Sequence, residues 1–215
     1  MSDRIARPEK TAKADKGPGT RENILTAALD EFARLGMAGA RVDRIARAAG
    51  VNKAMIYYYF SSKEALYQSV IKEHLTAILG TIRQTITESE RLEEILSAFA
   101  EVYHQAFSSQ PLLRTILLRE LADARSDVVP RIAQTIIASG LPEQMVKSYK
   151  AGIERGEYRP VDIRQTFVSF VLMNVGYFVL APLIDQVWAV EDHREFANER
   201  KKAVIDLFMN GVKKR

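Results

Sequence analysis

The chain has 215 residues, 47 % of them hydrophobic and 27 % charged, which suits a soluble globular protein with one large or two small domains. It contains no cysteine, so disulfides, cysteine zinc sites and thiol chemistry are excluded, and a reducing cytoplasm is the compartment that fits. The net charge of +4 is uneven: residues 1–63 carry 12 Lys and Arg against 7 Asp and Glu, and the remainder carries 19 against 20. Polyanion binding predicts this asymmetry, though ordinary surface charge also produces it.

Residues 1–19 are polar and include Arg4, Arg7, Lys10, Lys13 and Lys16, with Pro8 and a Gly17, Pro18, Gly19 break. They read as a disordered basic arm without the apolar core of a secretory signal. Such an arm follows phosphates, enters a minor groove, or is simply a solvated tail. Thr20 is the expected N-cap of a first helix, with Ile24, Ala28, Phe32 and Leu35 as its apolar stripe and Gly36 as its stop.

Residues 42–60 read VDRIARAAGVNKAMIYYYF. Ala46, Gly50 and Ile56 have the spacing that two short helices need to meet at a steep angle. The small residue permits close approach, the glycine permits the tight turn, and the aliphatic residue plugs the second helix into the first. Asn52 is a good N-cap for that second helix. Its outer face then carries Lys53, Ala54, Tyr57 and Tyr58, a face that fits the major groove of B-DNA. Lys53 suits guanine N7 and O6, Ala54 permits close approach, and Tyr58 reaches bases or a thymine methyl. The Tyr57 and Tyr59 hydroxyls suit phosphate oxygens, with partial burial the competing reading for Tyr59. Ile45, Val51, Ile56 and Phe60 read as core.

Ser61 and Glu64 have capping-box spacing, so a fourth helix is expected from there to about residue 87, roughly 35 Å long at 1.5 Å per residue. Lys63, in its first turn, is a candidate phosphate contact at a helix N-terminus. Further helices are expected over 90–107, from Pro111, over 127–139 and 142–155, over 162–184 and over 193–210. No stretch alternates at period two, so the expected fold class is all-α.

Residues 167–184 contain no charge, which reaches the length of a transmembrane candidate. Ser169, Asn174, Gly176 and Pro182 interrupt the run, and Arg164 and Asp185 give no one-sided basic flank. A helix covered at a subunit interface explains the same run, and no membrane association is expected.

The run IARAAGVNKAMIYYYFSSKEAL, residues 45–66, resembles the DNA-binding signature of TetR-type transcriptional regulators. That resemblance implies three parts: the arm 1–19, a helix-turn-helix head at 20–66, and a helical regulatory and dimerisation body at 67–215. It implies a homodimer on a near-palindromic double-stranded operator, joined through the last two long helices, with Phe196, Val204, Leu207 and Phe208 as candidate interface residues. It also implies a small-molecule pocket in the body. Phe99, Tyr103, His104, Phe107, Met173 and Tyr177 come from the segments expected to line it, although plain core packing is the competing reading for each. Asn174 is a polar group in an apolar run that needs a partner when buried. The sequence departs from the family pattern at Arg41, where many relatives carry a capping Thr. Arg41 and Arg44 are carried over as phosphate contacts, and Asp43 nearby would repel the backbone.

The function expected on these grounds is a sequence-specific, cytoplasmic DNA-binding regulator, a repressor released by a small lipophilic effector. An architectural or partner-binding DNA protein without a ligand is the alternative. An enzyme is the remote one: His74, His104 and His193 lie 30 and 89 residues apart, and there is no phosphate loop or nucleophile elbow. Neither cofactor nor metal is expected.

Overall fold

A computed structural model describes residues 18–86, 91–123 and 126–214. Among them are ten helices and one isolated antiparallel bridge, Tyr158 to Lys213. The chain divides into two compact units, Met1–Val70 and Ile71–Arg215. Of the expected basic arm, residues 1–17 lie outside the described residues.

The first unit holds α1 (Pro18–Gly39), α2 (Val42–Ala48), α3 (Lys53–Phe60) and the first turns of α4 (Lys63–Thr85). Ile24, Ala28 and Phe32 of α1, Ile45 and Ala46 of α2, Ile56 and Phe60 of α3, and Leu66, Tyr67 and Val70 of α4 form its core. The Tyr67 ring meets Phe32 edge-on at 4.8 Å. α1 starts at Pro18, two residues before the expected cap Thr20, because proline's fixed φ suits a first helical turn. Leu35 does not extend the stripe. It is exposed, just before the break at Gly36, where φ is 69°.

The caps show how the unit is held. Asn52 accepts from the Met55 amide at 2.9 Å and starts α3 as expected. α4 is capped by Ser62, not Ser61: the Ser62 hydroxyl accepts from the Ala65 amide at 3.0 Å, while Ser61 sits at φ 58°. α2 has no side-chain cap of its own, since Arg41 occupies that position. Glu31 of α1 substitutes for it. Its buried carboxylate accepts from the Arg41 amide at 3.0 Å and lies 3.4 Å from Arg44 Nε.

The second unit holds the rest of α4, then α5 (Leu92–Ser109), α6 (Pro111–Ala122), α7 (Val129–Ala138), α8 (Leu141–Glu154), α9 (Ile163–Trp188) and α10 (His193–Val212). α5 is central and touches α6, α8, α9 and α10. Asp162 caps α9 through the amides of Arg164 and Gln165. α10 turns Val204 and Phe208 into its own unit's core, where Phe208 meets Phe170 edge-on at 5.2 Å. These two residues therefore leave the set of expected dimer contacts. Leu207, rotated about 100° from Phe208 on the helix, stays exposed, and Phe196 is half-buried beside Tyr177.

Glu31→Ala removes the one side-chain partner that the α2 N-terminus has among the described residues and should destabilise the first unit by about 1–2 kcal/mol. Urea unfolding followed by circular dichroism measures it; an unchanged midpoint would mean that water caps α2 equally well.

Candidate functional site

Two surfaces carry chemistry, one in each unit. In the first, Ile56 and Phe60 point inward at 1 % and 5 % exposure. At 100° per residue this turns the opposite side of α3 to solvent. Tyr58 is 71 % exposed and Tyr57 43 %, and Lys53 and Ala54 lie on the same open side. Tyr59 is half-buried between Tyr58 and Phe60, with ring centroids at 5.2 and 6.3 Å. Met55 is buried, a core role the sequence did not suggest.

Two of the cations of this surface, Lys53 and Arg44, are held by acids. Lys53 Nζ lies 3.0 Å from the Asp43 carboxylate, whose hydrogen bond and charge hold the ammonium above its ordinary pKa. Arg44 pairs with Glu31 yet keeps much of its side chain exposed, and the Arg41 side chain is exposed. Lys63 Nζ donates to the Ala40 carbonyl at 3.3 Å, which ties the start of α4 to the α1–α2 turn. Both acids were missed as partners in the sequence. Glu31 leaves one signal there, a carboxylate ten residues before a helix start that lacks a capping side chain.

In the second unit Phe99, Tyr103, His104, Phe107 and Tyr177 meet in one aromatic cluster on α5 and α9, with Asn174 beside His104. Tyr103 lies 4.1 Å from Phe107 and 5.7 Å from Phe99, centroid to centroid. His104 stacks on Tyr177 at 5.9 Å and contacts Phe178 at 5.1 Å. Phe167, Phe170 and Phe178 also belong to the cluster, while Phe99 and Met173 are half-buried. Burial, then the nearby Lys201, push the His104 imidazole down to about 4, and the Asn174 carboxamide beside it opposes the shift without reaching hydrogen-bond geometry. Burial also pushes the Tyr103 phenol well up. A cleft of about 710 Å³ opens elsewhere, over Thr85, Ile86, Arg91, Glu94, Ser97 and Glu101. Its lining is largely charged and solvated.

Residues 24–70, the whole of this helix-turn-helix, match the sequence profile of the bacterial regulatory proteins of the tetR family. The HTH-type transcriptional regulator RutR of Escherichia coli K12 is 30 % identical over 202 residues, covering 89 % of this chain and 90 % of that one. The chain belongs to the TetR family. It is a DNA-binding transcriptional regulator. UidR of the same organism is 24 % identical over 164 residues, 76 % of this chain and 81 % of that one. Among solved structures, the regulator FadR of Bacillus subtilis, in complex with stearoyl-CoA, superposes with a TM-score of 0.73 at 21 % identity, over 88 % of this chain and 98 % of that one. At that identity the likeness carries the fold.

Two outcomes are expected. Lys53→Ala should weaken binding to the preferred DNA by about 1–3 kcal/mol and relax preference at one base pair. Asp43→Asn should instead tighten binding to all duplexes at low salt, by removing an anion from the face and releasing Lys53. Fluorescence anisotropy across a salt series separates the two; no change in either variant would take both residues out of the interface. For His104, the folded pKa lies below its ordinary value of 6.5. The unfolded chain then binds the extra proton first, so stability is full above about 6.5 and declines as pH falls toward 4. His104→Leu should flatten that part of the pH–Tm curve, and identical curves would refute the burial of a neutral imidazole.

Proposed function

We propose that the chain is a homodimeric, ligand-released repressor, with a DNA-reading head at residues 20–66 and a sensing body at 67–215. The observation that carries the DNA half is the two-sidedness of α3: an aliphatic and aromatic inner face is fully buried, while Lys53, Ala54, Tyr57 and Tyr58 face solvent. In this reading Lys53 and Tyr58 meet base edges. Arg41, Arg44, Tyr57, Tyr59 and Lys63 meet phosphates, fixing register without specifying sequence. Tyr59 enters only by its hydroxyl edge, since half of it is buried.

Dimerisation is supported by α9. Val168, Leu172, Val179 and Leu183 fall within about 60° on its helical wheel, all at least half exposed, opposite the buried Phe170, Asn174, Tyr177 and Phe178. The helix is long and apolar enough to cross a membrane, with only 22 % of its most apolar window buried inside the chain. The buried side already packs on aromatic residues of α5, with Asn174 at its centre, so one face remains to be covered. A second copy covers it, with exposed Leu207 of α10 at the margin. Two heads in one assembly then read two half-sites of a near-palindromic operator. The aromatic cluster supports an effector with an apolar body, and the cytoplasm is where such a regulator meets its operator.

Selection of bound duplexes from random sequence tests the DNA reading and operator symmetry together. The expected result is a near-palindrome with half-sites about one helical turn apart. Leu183→Glu should give a folded monomer in light scattering that has lost cooperative operator binding. A dimer that survives this change would move the interface off α9, and a protein extracted only in detergent would revive the membrane reading.

A further inference from the structure

Inside the aromatic cluster of the second unit, four buried polar atoms have no hydrogen-bond partner among the described residues. They are the Tyr103 hydroxyl, both ring nitrogens of His104, and Oδ1 of Asn174. The three side chains are 7 %, 3 % and 0 % exposed. Buried polar groups are nearly always hydrogen-bonded, so three neighbouring side chains that break the rule mark a place built for something else to bond there.

The hydrogen-bonding capacity of the site is fixed by its chemistry. Asn174 Nδ2 donates to the Phe170 carbonyl at 2.8 Å. Rotating that amide would set oxygen against oxygen, so Oδ1 must remain the acceptor that faces the cluster. The Tyr103 hydroxyl can donate. A neutral imidazole donates from one nitrogen and accepts at the other. The site thus offers two donors and at least two acceptors.

An anion would satisfy the donors and leave two acceptors bare. A cation would do the reverse and would also face Lys201, Arg200 and Arg114, whose charges act on this cluster. Those three cations are already engaged: Lys201 with Glu101 at 2.6 Å, Arg200 with the Met173 carbonyl at 3.3 Å, and Arg114 with the Phe107 carbonyl at 3.4 Å. Only Lys201 is paired with an acid, so what weighs against an anion is the acceptors it would leave bare. The rings around the site present flat apolar faces, as in the near-parallel stack of His104 on Tyr177, with 20° between planes.

We propose that Tyr103, His104 and Asn174 form the polar end of an effector site that takes a neutral, flat molecule bearing a hydrogen-bond donor beside an acceptor, such as a lactam or a carboxamide on an aromatic ring. This rests on the reading of the body as a sensing half and adds the chemistry of what it senses. Phe99, Tyr177 and Phe178 hold the ring of the ligand, and the three polar groups hold its amide edge.

The test uses the full-length dimer and four probes of matched size: 2-quinolinone, 2-naphthoate, 2-naphthylmethylamine and naphthalene. Calorimetry at neutral pH should show 2-quinolinone binding at least about tenfold more tightly than the other three. Tyr103→Phe and Asn174→Leu should each remove that preference. Tyr103→Phe should also raise the Tm of the unliganded protein, because an unsatisfied buried atom is gone; a purely structural role would lower it. If Asn174→Leu fails to fold, Tyr103→Phe, which differs from the native chain by one oxygen, decides alone. Equal affinity for all four probes, or tightest binding of naphthoate, overturns the proposal. So does a Tm lowered by Tyr103→Phe with unchanged probe affinity, which would mean that buried waters satisfy these atoms. Operator release is read separately by anisotropy. Selective binding of 2-quinolinone without release would support this site and refute ligand-driven repression.

Discussion

An eight-residue helix has no stability of its own in water, because nucleating it costs more than two turns of hydrogen bonds return. α3 exists only because Met55, Ile56 and Phe60 are buried in the first unit and Asn52 caps its start. The outward face follows from that burial with no further instruction. Once Ile56 and Phe60 point in, Tyr58 points out, and Lys53 and Ala54 flank it at one end. The face proposed to read DNA is the back of a packing solution, which is why its geometry is rigid even though its side chains are solvated.

Electrostatics in the head is restrained. Glu31 replaces the missing cap of α2 and holds Arg44 as well, so one buried carboxylate orders the helix start and positions a cation on the surface. Asp43 plays a comparable part for Lys53. Both acids lower the net positive field that would draw any duplex. They also keep two long side chains from sampling many rotamers before contact. Specificity is a difference of affinities, and reducing nonspecific attraction raises it as surely as adding base contacts does.

The body shows the opposite economy. A buried polar group without a partner costs about 1–3 kcal/mol, and Tyr103, His104 and Asn174 together carry four such atoms. Such a cluster persists where function uses it. α9 carries the same tension on a larger scale. One side closes the aromatic core, and the other presents aliphatic residues that a solvated helix would not choose.

Much of this was written locally in the chain. The helices, the Gly50 turn, the Asn52 and Asp162 caps and the solvent-facing Tyr58 all come from spacing and capping chemistry, which act within a few residues. What local rules left open was decided by partners distant in sequence. Val204 and Phe208 share an apolar stripe with many possible destinations, and only the placement of α5 and α9 made them core. Asp43 reads as a repulsive charge until the turn at Gly50 brings Lys53 within 3.0 Å. Glu31 reads as one more acid on α1 until α2 arrives ten residues later. By itself, the sequence determined an all-helical chain with a helix-turn-helix and its outward face, because helical periodicity and capping are short-range. Tertiary structure alone decided which charges pair, which apolar faces stay uncovered and which polar atoms are stranded, because each depends on groups that only folding brings together.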